Sequence, residues 1–283
     1  MPEYYKFIYG KDILEAFYDE VFGTHPLRSE DEYRLVAASS RNKELTKEER
    51  ERYGISDKEM YKTEPIYQGD WTSFHSAICK FECNVNGFMT KLKQVPLPQK
   101  SLTLYMNLNP ISIRKSFLYK HKQMSEVFEF VINNQNAVAV GSKDQCTNLM
   151  RKCLKLPNAV AMECLARRDW IDYDIDFEDA DNAPCVAKEK IKSALKDVMS
   201  KGRYIIVRSK GGLHLLIPTD LFDHKTNPTT IKAALINSIA GYGCKEIGEV
   251  KGGVPLPGCL QREFPVTFET VSWDGTSEIG YKP

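Results

Sequence analysis

The stretch Trp170–Phe177, WIDYDIDF, restricts the fold of this chain more than any other. Acidic and bulky apolar side chains alternate in it, and alternation with a period of two marks a β-strand with two unlike faces. Asp172, Asp174 and Asp176 then line one face, and Ile171, Tyr173, Ile175 and Phe177 the other. The apolar face must be covered, so the strand belongs to a sheet packed on at least that side. Carboxylates stacked this closely repel, and each resists ionisation unless a cation sits between them. A hard divalent cation shared with substrate phosphates is the usual solution. The stretch therefore reads as one edge of a metal-dependent phosphoryl- or nucleotidyl-transfer site. The alternative is a solvated edge strand, where clustered charge discourages aggregation.

The residues after this strand fix its setting. Pro184 stands where a first helical residue would, after Asn182, and Ala187, Ile191, Ala194, Leu195 and Val198 keep helical spacing up to a stop at Gly202. Tyr204–Val207 and Leu213–Ile217 read as two strands joined by the turn Ser209-Lys-Gly-Gly212. Asn227-Pro228 opens a second helix with Ile231, Leu235 and Ile239 on its apolar side, and another strand lies near 246–250. The order is β-α-β-β-α-β, a ferredoxin-like or RRM-like unit, and the fold class is α+β. In this topology the first and third strands are neighbours, so Asp174, Asp176 and His214 converge. Helices cover one face of such a sheet and leave the other for a ligand. Ser209 and Lys210 add a hydroxyl and a cation, and the glycines allow a phosphate close to the backbone.

The remainder is less specific. Residues 1–95 form a polar, aromatic-rich segment expected to be accessory, and 96–283 are expected to be the catalytic core, with VPLPQKS at 95–101 as linker or turn. RNKELTKEERERYGISDKEMYK reads as a solvated helix or a connection. SLTLYMNLN reads as a strand, Ile111 to about Val131 as a helix, 136–141 as a strand and 144–154 as a helix. His75, Cys79 and Cys83 stand four apart, which would align them on a helix, but the flanking residues also fit a strand that would scatter them. With no CxxC pair among eight cysteines, reduced thiols are expected, with Cys146, Cys153, Cys164 and Cys185 as small buried hydrophobes. A net charge of +1 rules out whole-molecule attraction to nucleic acid, so such contact falls to local cations such as Arg114 and Lys115, with Lys120 and Lys122. The N-terminal residues lack a signal-peptide core and no apolar run reaches the ~18 residues of a membrane span. No membrane association and a cytoplasmic location are expected, nucleoid-associated or in host cytoplasm for a viral chain.

Asp-x-Asp on a strand, then a helix, then a strand turn with Ser and Gly ahead of His, resembles the archaeo-eukaryotic primase superfamily. Within it, the chain resembles the primase-polymerases of plasmid and phage type. Asp174-Ile-Asp176 fits the first motif, three mostly apolar residues followed by Asp-x-Asp, with Asp172-Tyr-Asp174 as a second register. Ser209-Lys-Gly-Gly-Leu-His214 fits the second, and SKGGLHLLIP is also similar to the polymerase domains of bacterial end-joining ligases. Val254-Pro-Leu-Pro-Gly-Cys259 and LTLYMNLNPISIRKS resemble the family's late Pro-Gly segment and the segment before its first motif. The resemblance covers roughly 101–283. It implies a primase or primase-polymerase that makes or extends primers on a single-stranded DNA template from NTPs or dNTPs. It further implies two Mg²⁺ or Mn²⁺ ions held by Asp174, Asp176 and a third acid, for which Glu249 is the first choice and Glu246 the second. His214, Ser209 and Lys210 would meet the triphosphate, and Arg114 and Lys115 the nucleic-acid backbone. No GxxxxGKS motif is present, so unwinding would come from a replicative helicase on another chain or from a segment outside this one. The alternatives are an end-joining repair-type polymerase and an inactive RRM-like nucleic-acid-binding module.

Overall fold

A computed structural model describes residues 4–42, 45–54, 58–83, 87–90, 94–133, 164–179, 181–199, 202–223, 226–250, 253–272 and 278–279. The expected strand at 136–141 and helix at 144–154, with Cys146 and Cys153, lie outside them. The class is α+β: two antiparallel sheets and, among the described residues, six α-helices.

The chain first forms α1 (Lys11–Tyr18), β1 (Glu32–Arg41), α2 (Lys47–Tyr53), β2 (Lys58–Ile66), α3 (Trp71–Cys79), β3 (Leu102–Met106), β4 (Ile111–Ser112) and α4 (Ile113–Asn133). β1 lies between β2 and β3 and also pairs with β4. Three short strands from the far end of the chain complete this sheet: β9 (Val254–Pro255), β10 (Leu260–Gln261) and β11 (Phe264–Pro265). The expected boundary near 95 therefore falls inside one sheet, because β1 pairs with β3 from Val36↔Met106 to Ser40↔Leu102. α2 is the expected solvated helix: it buries no residue and starts on a Thr46/Glu49 capping box. The later part of that charged stretch is strand β2.

The second sheet contains β5 (Trp170–Phe177), β6 (Arg203–Arg208), β7 (Gly212–Pro218) and β8 (Cys244–Glu249), with α5 (Ala183–Val198) and α6 (Pro228–Ile239) in the connections. β12 (Thr267–Ser272) and β13 (Glu278–Ile279) extend it, and the order is β13-β12-β6-β7-β5-β8. This is the β-α-β-β-α-β arrangement, with the aspartate strand between β7 and β8. Local chemistry starts the helices where the sequence suggests. Pro184 sits in the first turn of α5, and Asn227 accepts hydrogen bonds from the Thr229 and Thr230 amides at 3.0 and 3.1 Å.

Ala187, Ile191 and Leu195 of α5 and Ile231, Leu235 and Ile239 of α6 pack on Ile171, Tyr173, Ile175, Leu213, Leu215 and Ile217. Each fully buried Leu or Ile contributes about 1.5–3 kcal/mol, so this layer holds both helices on one side of the sheet. The opposite face is divided. On its β6–β12 side, Ile205, Val207 and Phe268 join Phe17, Phe22, Phe74, Leu104 and Met106 in a core shared with the first sheet. On its β5–β8 side it carries the aspartates.

Candidate active site

Trp170 enters β5 through Asn109, whose Oδ1 accepts from the amides of Asp169 and Trp170 at 2.7 and 2.8 Å while Nδ2 donates to the Trp170 carbonyl at 2.9 Å. One side chain between the sheets thus sets where the aspartate strand begins. The register then pairs Asp172 with Leu216, Asp174 with His214 and Asp176 with Gly212. Directly paired residues in an antiparallel ladder share a face. Asp172, Asp174, Asp176 and His214 therefore meet on the face away from α5 and α6.

His214 is 5% exposed and Asp172 6%. Nδ1 of the ring lies 3.1 and 3.2 Å from the two Asp172 oxygens, and Nε2 lies 3.6 Å from Asp174 Oδ1. Burial works against the imidazolium, but Asp172, by charge and hydrogen bond, with Asp174 and Asp176 behind it, holds the ring's pKa above its ordinary value. The Asp174 side chain is 36% exposed and Asp176 is half-buried, so the acidic row runs from a covered carboxylate to partly exposed ones.

The Ser209–Gly211 turn closes the same end of the sheet. The Ser209 amide donates to the Gly212 carbonyl at 3.0 Å, and its buried hydroxyl donates to the same oxygen at 3.3 Å. The Lys210 amide donates at 2.6 Å to Oε1 of Gln261 on β10, tying this turn to the first sheet. Gln261 is a site residue that sequence reading missed; only the docking of the two sheets brings it here. A Cβ added at Gly211 would stand 3.0 Å from Asp176 Oδ1, and one at Gly212 would overlap the Ile175 carbonyl oxygen. Gly212→Ala is therefore expected to force β7 away from β5 and to destabilise the protein by about 3 kcal/mol, at the upper end of overpacking costs. Thermal unfolding measures it, and an unchanged melting temperature would refute this close approach.

The two candidate third acids part company. β8 pairs Glu246 with Asp176 and Glu249 with Tyr173. Glu246 thus shares the aspartate face. Glu249, the first choice from sequence, shares the helix-covered face with Tyr173 and forms an ion pair with Arg168. The reason is periodicity: residues three apart on a strand point to opposite faces. Arg114 and Lys115 lie at the start of α4, where the Arg114 amide donates to Asp31 and Lys115 Nζ to the Leu165 carbonyl at 2.7 Å. This is beside the residues leading into β5, not at the Asp174–Asp176 end. His75 and Cys79 are one helical turn apart on α3, with Sγ 3.7 Å from Nδ1, and Cys83 lies beyond the helix end.

Carboxylates are hard oxygen donors of the kind a divalent cation takes, and Asp174, Asp176 and Glu246 share one face of the sheet, with Asp176 directly across from Glu246. Among the described residues, no group of three His, Cys, Asp or Glu side chains stands ready to hold a metal ion. Among them, too, no helix is long and apolar enough to cross a membrane. No family model matches this chain, and neither a curated protein nor a solved structure matches it.

Proposed function

We propose that the chain is a DNA primase or primase-polymerase of the archaeo-eukaryotic primase type, working on single-stranded DNA with NTPs or dNTPs. One observation carries this reading. Two partly exposed aspartates on one strand share a face with a histidine on the adjoining strand, beside a Ser-Lys-Gly-Gly turn. An RNA-binding module of the same topology would present stacking aromatics on this face. Here it presents carboxylates, which repel phosphate in the absence of a cation.

Asp174 and Asp176, with Glu246 as the third acid, would hold two Mg²⁺ or Mn²⁺ ions. When bound, such ions neutralise the triphosphate and lower the pKa of an attacking 3′-hydroxyl. His214 donates from Nε2 to a phosphate oxygen of the incoming nucleotide, where an oriented donor counts most as charge develops. The Gly211–Gly212 backbone lets the phosphates lie against the turn, and Gln261 keeps that turn in place through the Lys210 amide. Arg114 and Lys115 take the nucleic-acid backbone at the side where the chain enters β5. Unwinding is left to a helicase on another chain or to a segment outside this one.

The pairing of β8 predicts an asymmetry. Glu246→Gln is expected to lower divalent-ion-dependent nucleotide incorporation by roughly tenfold or more, in the range typical of groups that support a metal site. Glu249→Gln is expected to leave it within about twofold, since a surface ion pair contributes little. Steady-state incorporation at saturating template measures both. A silent Glu246→Gln would place the third ligand elsewhere.

A further inference from the structure

We propose that Asp172 is a positioning residue for His214: it grips Nδ1 so that Nε2 is presented at Asp174, where a nucleotide phosphate would sit. The proposal rests on the nucleotide-transfer reading for what Nε2 meets, but not for the grip itself.

Two observations converge on it. Both Asp172 oxygens lie within 3.2 Å of Nδ1, whereas the register puts Asp174, not Asp172, directly across from His214. The ring therefore leans along the sheet toward the earlier aspartate. Asp172 is also nearly covered, unlike Asp174. A buried carboxylate without a partner is costly, and His214 is the side chain that supplies one. An imidazole held by a carboxylate at one nitrogen is fixed in ring orientation and offers the other nitrogen outward. Asp172 then acts through His214, not as a metal ligand in its own right.

The test compares Asp172→Leu, Asp172→Asn, His214→Ala and the Asp172→Leu/His214→Ala double variant in the full chain. Nitrogen-15 NMR with the downfield proton spectrum detects a hydrogen-bonded Nδ1–H on His214. It is expected in the parent and in Asp172→Asn, whose amide oxygen still accepts, and to vanish in Asp172→Leu. For nucleotide incorporation, Asp172→Leu should lower kcat/KM by roughly ten- to hundredfold, as loss of an orienting partner does. Asp172→Asn should recover most of this, and half-activating Mn²⁺ should stay unchanged in both. The double variant should be no worse than His214→Ala alone. Survival of the Nδ1–H signal in Asp172→Leu, or a double variant lower than His214→Ala by the full Asp172→Leu factor, would overturn the proposal. If no variant and not even the parent incorporates nucleotides, the transfer reading falls, while the Nδ1–H comparison still decides the grip.

Discussion

Asp174→Asn is expected to cut divalent-ion-dependent nucleotide incorporation by about a hundredfold or more, while the protein stays folded. The side chain is 36% exposed beside Asp176 and opposite His214, and asparagine keeps its shape, so the change opens no cavity. What it removes is one acceptor oxygen and the charge that attracts a cation. Loss of one well-placed electrostatic group typically costs ~10²–10³ in turnover. Relief of repulsion from Asp172 and Asp176 offsets the lost attraction to His214, so the melting temperature should stay about level. Incorporation rate and thermal unfolding, read on the same preparation, separate the two effects. A variant as active as the parent would remove Asp174 from the chemistry; one that fails to fold would make it a structural residue.

The largest stability effect is expected outside the acidic row, where Arg34 meets Asp169. Arg34 on β1 is fully buried. Its Nε donates to the Leu108 carbonyl at 2.9 Å, a terminal nitrogen donates to the His25 carbonyl at 2.6 Å, and the guanidinium lies over the Phe22 ring at 4.2 Å. Asp169, 3.9 Å away, is its nearest opposite charge. Burial brings the Arg34 pKa down to about 10, with Asp169 opposing the fall. Arg34→Met would leave two buried carbonyls and one carboxylate without this partner. Breaking a buried pair from one side costs about 3–5 kcal/mol. In a chain of this size that lowers the melting temperature by roughly 10 °C. A shift of only a degree or two would show that Arg167, which holds Asp169 at 2.8 Å, with Arg28 at 3.9 Å, suffices for the cluster.

These two sites mark the boundary between what was legible in the sequence and what was not. The β5-to-β8 unit was legible because its cues are local. Strict alternation marks β5, Pro184 and Asn227 start the helices, and Ser-Lys-Gly-Gly makes the turn. β1 was not. EYRLVAASSR shows no alternation, because it is covered on both faces, and its polar residues Arg34, Ser39 and Ser40 are buried by packing that no nearby residue announces. The same limit applies within the site. Three aspartates on one face could be read from period two, but which of them grips His214 depends on how far the ring leans across the β5–β7 register. Glu246 and Glu249 could be assigned to opposite faces, but only the pairing Asp176↔Glu246 tells which face is which. Gln261 reaches the Lys210 amide across about fifty residues of chain and between two sheets, and no spacing rule anticipates that. Cys185, expected to be buried, is exposed, because it lies in the first turn of α5 on the side away from the sheet.

The most direct measurement is incorporation of labelled nucleotides on a single-stranded DNA template by the full chain. It is run with Mg²⁺ or Mn²⁺, with and without a primer, and again with excess chelator. Template-dependent products are expected that require the divalent ion and are lost in Asp174→Asn. Products that persist in excess chelator, or a folded parent protein that incorporates nothing either with or without a primer, would contradict the primase reading.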